Sequence, residues 1–214
     1  LGIIALFIVA TPALNRIVEW NEAMNLPEAL YNIEQWMRQQ ENAATKITEQ
    51  ILQVNSFSHF LAVIFGIGIL TGIGEEMIFR GVLQRIVQDK NHRAHVAVWI
   101  CAFLFSAIHL QFYGFIPRLL LGAFFGYLLV WSKNLWLPIF AHLFNNSTVA
   151  CISYFTNDKS PDNLIETVGT SGSPTSWLAG ASLIGTVILL YVLYKKVFVS
   201  KSKEFFPMED KITP

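Results

Sequence analysis

Two adjacent carboxylates, Glu75 and Glu76, close one of the most apolar runs in the chain, "FLAVIFGIGILTGIG", and Arg80 follows four residues later. His109, His142, Asn145 and Asn146 lie in other apolar stretches. A charge at the centre of a membrane-spanning helix costs about 2.5–3.5 kcal/mol on insertion scales, so such residues face a cavity or a partner and serve a function. Glu76 and Arg80 are i,i+4 and pair on one helix face. Glu75 is rotated by about 100° from that face and is left free to act. His142 and Asn146 repeat the four-residue spacing, so one face carries two polar groups a turn apart. A carboxylate beside another, away from bulk water, is suited to act as general base toward water. His109 can hold or polarise that water, and His142 with Asn146 can donate hydrogen bonds to a developing oxyanion. Glu75, His109 and His142 equally offer a carboxylate and two imidazoles to a divalent metal ion, and residue types leave both chemistries open. Asp89, Asp158, Asp162 and Asp210 all fall outside the apolar runs, which excludes a pair of membrane aspartates.

The elements that must position these groups are helices. Of 214 residues 53% are hydrophobic and 14% charged, against about 25% charged in a soluble domain. The apolar residues come in runs, as in a polytopic membrane protein. In lipid, backbone groups are satisfied within each segment, so the runs form helices. Spans are expected at 1–16, 56–84, 95–113, 115–132, 135–155 and 177–198. The fold class is therefore all-α: a transmembrane bundle of about six spans plus an amphipathic helix on the outer face. The net charge of zero gives no reason to expect a nucleic-acid partner.

Loop charge orients the spans. Residues 19–53 carry Glu19, Glu22, Glu28, Glu34, Glu41 and Glu49 against Arg38 and Lys46, and the 156–176 loop is also acidic. Residues 85–95 and the tail from Lys195 and Lys196 to Lys203 are basic. Basic loops stay cytoplasmic, which puts both ends of the chain inside. Counted from the inner helix ends at 1.5 Å per residue, Glu75, His109 and His142 lie about 15, 20 and 10 Å deep. They can meet in the cytoplasmic half of the membrane.

Three regions follow. Residues 1–55 hold a truncated first span and the amphipathic helix, whose apolar positions run from Leu26 to Val54 in four–three spacing. Residues 56–155 form the catalytic core, and 156–214 a loop, the last span and a basic tail. The first residue, Leu1, stands inside an apolar run, and the chain is read as part of a longer protein. Gly66, Gly68, Gly72 and Gly74 are expected to permit close helix contact, and Cys101 and Cys151 to be buried free thiols.

Three phrases, "EEMIFRG" (75–81), "FSAIH" (105–109) and "HLFNN" (142–146), together resemble the signature of the CPBP family of intramembrane proteases. That family includes the CAAX prenyl endopeptidases and bacterial proteins associated with bacteriocin processing and immunity. Its pattern of Glu-Glu-x-x-x-Arg, Phe-x-x-x-His and His-x-x-x-Asn on successive helices is matched in order. The resemblance implies that Glu75 activates water with His109 as partner, that His142 and Asn146 stabilise the transition state, and that Glu76 and Arg80 support them. It implies a peptide or membrane-protein substrate, prenylated or not, and a multi-pass protein of the bacterial cytoplasmic membrane. The alternative is a non-catalytic immunity or binding protein, or an ion pathway. Rhomboid-type chemistry finds no support, because "GTSGS" at 169–173 does not fit its serine motif.

Overall fold

Six apolar stretches in one short chain leave little room for anything but helices. The computed structural model describes residues 1–91, 93–156 and 167–195. Helix α1 spans Gly2–Glu22 and α2 Tyr31–Leu52, with a 3-10 turn at Glu28–Leu30 between them. Helix α3 is continuous but changes pitch: α-helical at Phe57–Val63, π-helical at Ile64–Leu70, α-helical at Thr71–Glu76, π-helical at Met77–Leu83 and α-helical at Gln84–Asn91. Helices α4 (Ala94–Ala107), α5 (Phe115–Ser132), α6 (Trp136–Thr156) and α7 (Leu178–Val192) complete the bundle. Among the described residues there is no strand. Asp158, Asp162 and the basic tail from Lys196 onward lie outside the described residues.

Each expected span has its helix, and among the described residues four are long and apolar enough to cross a membrane: Gly2–Glu22, Phe57–Gln88, Phe112–Ser132 and Leu178–Lys195. Helix α6 is as long, at 21 residues, but carries His142, Asn145, Asn146 and Ser147 in its middle. The span expected at 95–113 needs correction. Its helix stops at Ala107 after 14 residues, about 21 Å of rise against about 30 Å of hydrocarbon. Leu110 adopts a left-handed φ of 53°, and a 3-10 turn at Phe112–Gly114 leads into α5. His109 thus occupies a turn and not a helix interior.

Close approach of backbones holds the core together. A Cβ at Gly122 would lie 3.2 Å from the Ala102 Cα, and one at Gly126 3.0 Å from Val98 Cγ1. These two glycines, a turn apart, let α5 lie directly on α4 around buried Val98, Ala102 and Ala123. Of the four glycines expected to permit contact, Gly72 meets the Leu143 backbone and Gly68 meets Ser147, both on α6. Gly66 and Gly74 have nothing within 4 Å, so the expectation fails for that pair. Cys101 and Cys151 are free thiols; Cys101 is buried and Cys151 partly exposed.

On the far side, α1 packs on α7. Pro12 cannot donate to the α1 ladder, and Ser182 of α7 inserts its hydroxyl there. It donates to Val9 O at 2.5 Å and accepts from Ala13 N at 3.1 Å. Gly169 (φ 87°) lies over Pro12, where any Cβ would strike the Pro12 carbonyl. Helix α2 buries no residue and lies across the 112–114 turn. Trp36 meets Phe112 at 5.4 Å between ring centroids, and Glu41 Oε2 accepts from the Tyr113 N–H at 3.0 Å.

Candidate active site

The expected i,i+4 pair is present. Arg80 Nη1 donates to Glu76 Oε1 at 2.9 Å, and both side chains are fully buried. Burial of two charges is tolerated only with further polar partners and good geometry. Arg80 Nη2 donates to Gly122 O at 2.7 Å, and the guanidinium lies 4.8 Å from the Phe105 ring centroid. One turn on, Gln84 Nε2 donates to Gly126 O at 3.2 Å. The glycines that bring α5 onto α4 therefore also expose their carbonyls to α3. Gln84 and this pairing were not read from the sequence, although Gly122 and Gly126 in "LLLGAFFGYLL" carry the four-residue small-residue spacing that signals such a contact.

His142 connects α6 to both carboxylates. Its Nδ1 lies 2.9 Å from Glu76 Oε1 and its Nε2 3.7 Å from Glu75 Oε2. Glu75 is thus not left to itself as its rotation from Glu76 suggested, because the imidazole reaches one carboxylate with each nitrogen. Glu76 Oε1 already accepts from Arg80, so the His142 Nδ1–H donates to it and Nε2 is the nitrogen turned toward Glu75. Phe125 stacks on the His142 ring at 5.0 Å and 19°, and Phe105 meets its edge at 5.8 Å. These two rings fix the plane of the imidazole. The Glu75 side chain is 25% exposed and that of His142 6%, so the line Arg80–Glu76–His142–Glu75 runs from dry core toward an open end.

The other expected residues stand around that end. His109 Nδ1 donates to Phe105 O at 2.7 Å, which in the neutral ring leaves Nε2 as an acceptor. The Phe105 ring also separates His109 from His142, with centroids 5.2 and 5.8 Å away. His109 lies within electrostatic reach of Glu75, His142 and Arg118. Asn146 uses one amide hydrogen on Ile67 O at 3.2 Å and accepts from Asn145 at 3.3 Å. Its acceptor, Ile67, belongs to the first π-helical stretch, and Glu75 and Glu76 end the short α-helical segment between the two. Such irregular turns cluster at functional sites. Among the described residues, no group of three or more His, Cys, Asp or Glu side chains is placed to hold a metal ion.

A carboxylate–imidazole–carboxylate line leading out of a dry core, inside a bundle of apolar spans that is all-helical among the described residues, defines an integral membrane protein with a built polar centre. Residues 57–148 match the family model described as "Rce1-like: Type II CAAX prenyl endopeptidase Rce1-like", so the resemblance carried by the three motifs holds over that segment. The chain is also 29% identical over 109 residues to the uncharacterized protein YpbD of Bacillus subtilis (strain 168), covering 49% of this chain. It spans about half the length of that curated relative, 51%. No solved structure matches the chain.

Proposed function

We propose that this protein is an intramembrane endopeptidase that hydrolyses a peptide bond with a water activated by Glu75. The observation that carries the reading is the His142 ring held between Glu76 and Glu75. Glu75, partly exposed at the open end of the line, is the base that removes a proton from water as it attacks the scissile carbonyl. The free Nε2 of His109 accepts a hydrogen bond from the same water and orients it. As the tetrahedral intermediate forms, its oxyanion takes hydrogen bonds from His142 Nε2 and the second amide hydrogen of Asn146. For Nε2 to donate, the ring must carry both protons. Glu76, paired with Arg80, is the anion that stabilises that imidazolium. Collapse of the intermediate then passes the proton on Glu75 to the leaving amine.

The match to the CAAX prenyl endopeptidase model supports a peptide substrate, and a prenylated one is the first to try. The loop-charge pattern supports a site in the cytoplasmic half of the membrane, which is read as a bacterial cytoplasmic membrane. The test is cleavage of a peptide ending in farnesyl-Cys-Val-Ile-Met by the purified protein in lipid nanodiscs. Glu75→Gln is expected to reduce turnover at least about 10³-fold, beyond the 10²–10⁴ range's lower limit for losing a general base. Turnover retained by Glu75→Gln contradicts the mechanism.

A further inference from the structure

One intramembrane cation has no role in this mechanism. Arg118 lies on the first turn of α5, within the stretch Phe112–Ser132 that is long enough to span a membrane. Its Nη2 donates to the Gln111 side chain at 2.7 Å and its Nη1 contacts Gln111 O at 3.4 Å. Gln111 is two residues beyond His109 in the same turn, so the anchor that fixes the guanidinium also fixes it beside the proposed water site. Gly114 leaves room for it: a Cβ there would lie 3.4 Å from Nη2. Arg118 is within electrostatic reach of Glu75 and Glu41. No described carboxylate lies within 4 Å of it, in contrast to Arg16, Arg38 and Arg80, each paired at 3.0 Å or less. A charged group in a membrane span with no carboxylate in direct contact is costly and is kept for a function.

We propose that Arg118 binds a carboxylate of the substrate, its C-terminal carboxylate or an acidic side chain, and so sets which peptide bond reaches Glu75. The guanidinium has N–H groups left after the two bonds to Gln111 and matches a carboxylate in a forked, charge-assisted geometry. The inference rests on the endopeptidase reading for its consequence, but not for its binding test.

Binding is measured first in the Glu75→Gln background, in nanodiscs, with three fluorescent peptides: one ending in farnesyl-Cys-Val-Ile-Met as the free acid, the same peptide as its C-terminal amide, and an amide carrying an upstream Glu. The free acid is expected to bind about 10- to 100-fold more tightly than the plain amide. Adding Arg118→Gln abolishes that preference and leaves amide binding unchanged, while Arg118→Lys retains part of it, which separates lost charge from misfolding. If the Glu-bearing amide alone shows the Arg118-dependent gain, the recognised carboxylate is a side chain. Acid and amide peptides that bind alike, or a preference that survives Arg118→Gln, overturns the proposal. Cleavage by the protein with Glu75 intact is then followed with the same peptides. Arg118→Gln raises KM for the carboxylate peptide with little change in kcat. Absence of any cleavage there counts against the endopeptidase reading, while the binding result still decides the role of Arg118.

Discussion

His142 Nδ1 and Glu76 Oε1 stand 2.9 Å apart in the dry centre of the bundle, although the two residues are 66 positions apart in the chain. The same carboxylate oxygen binds Arg80. Glu76 is therefore a junction between a structural ion pair and the imidazole that faces Glu75. This makes the two neighbouring glutamates different in kind, one fully buried in the ion pair and one partly exposed.

The first prediction follows from that difference. Glu76→Gln leaves Arg80 buried without its anion, and removal of one partner of a buried pair costs about 3–5 kcal/mol. Glu75→Gln breaks only a 3.7 Å contact at a partly exposed side chain and is expected to cost less than about 1 kcal/mol. Thermal unfolding in detergent should therefore separate the two variants clearly. Equal losses of stability would mean that Glu75 is also a packing residue.

Glycine substitutions should divide in the same way as their surroundings. Gly122→Ala and Gly72→Ala drive a methyl group into the Ala102 and Leu143 backbones and should destabilise by about 1–3 kcal/mol. Gly74→Ala and Gly66→Ala meet open space and should be neutral or stabilising by up to about 1 kcal/mol. Melting temperatures of the four variants check this ordering.

The local structure at the start of α2 should loosen in acid. The hydrogen bond from Arg38, then that from the Leu26 N–H, holds the Glu34 carboxyl below its usual range. A group whose folded pKa is lowered stabilises above its unfolded value, about 4.3, and loses that contribution as pH falls through the folded value. Protection of the amides over residues 26–38, taken as exchange relative to the intrinsic rate at each pH, should therefore fall below pH 4 relative to pH 6. Glu34→Gln should remove most of that pH dependence, and an unchanged profile would count against it.

Chelation tests the metal expectation directly. The proposed mechanism routes no step through a metal, so cleavage should survive extended dialysis against EDTA. Loss of activity that a divalent cation restores would instead assign Glu75, His109 and His142 to a metal.

Much of this was legible in the sequence because helical spacing is local geometry. The Glu76–Arg80 pair follows from four residues of separation, and each apolar run became a helix because lipid leaves the backbone few alternatives. The two π-helical stretches around Glu75 and Glu76 were not legible, although Gly66, Gly68, Gly72 and Gly74 lie in and beside the first of them. Nor was the end of α4 at Ala107. "FLFSAIHLQF" is mostly apolar and holds neither Gly nor Pro, and the chain turns at Leu110 with a positive φ. Contacts between helices were the hardest to read. That His142 would reach Glu76 as well as Glu75, and that Phe125 would stack beneath it, depends on how α3, α5 and α6 pack, which no spacing within one helix encodes.

The most direct test is made in membranes. Cells containing the intact protein and cells containing Glu75→Gln, matched for abundance, are compared by mass spectrometry of new peptide termini. Termini that appear only with Glu75 are the predicted result and identify the substrate. Indistinguishable termini, in cells whose phenotype Glu75→Gln leaves unaltered, would contradict proteolysis and assign the protein to binding without cleavage.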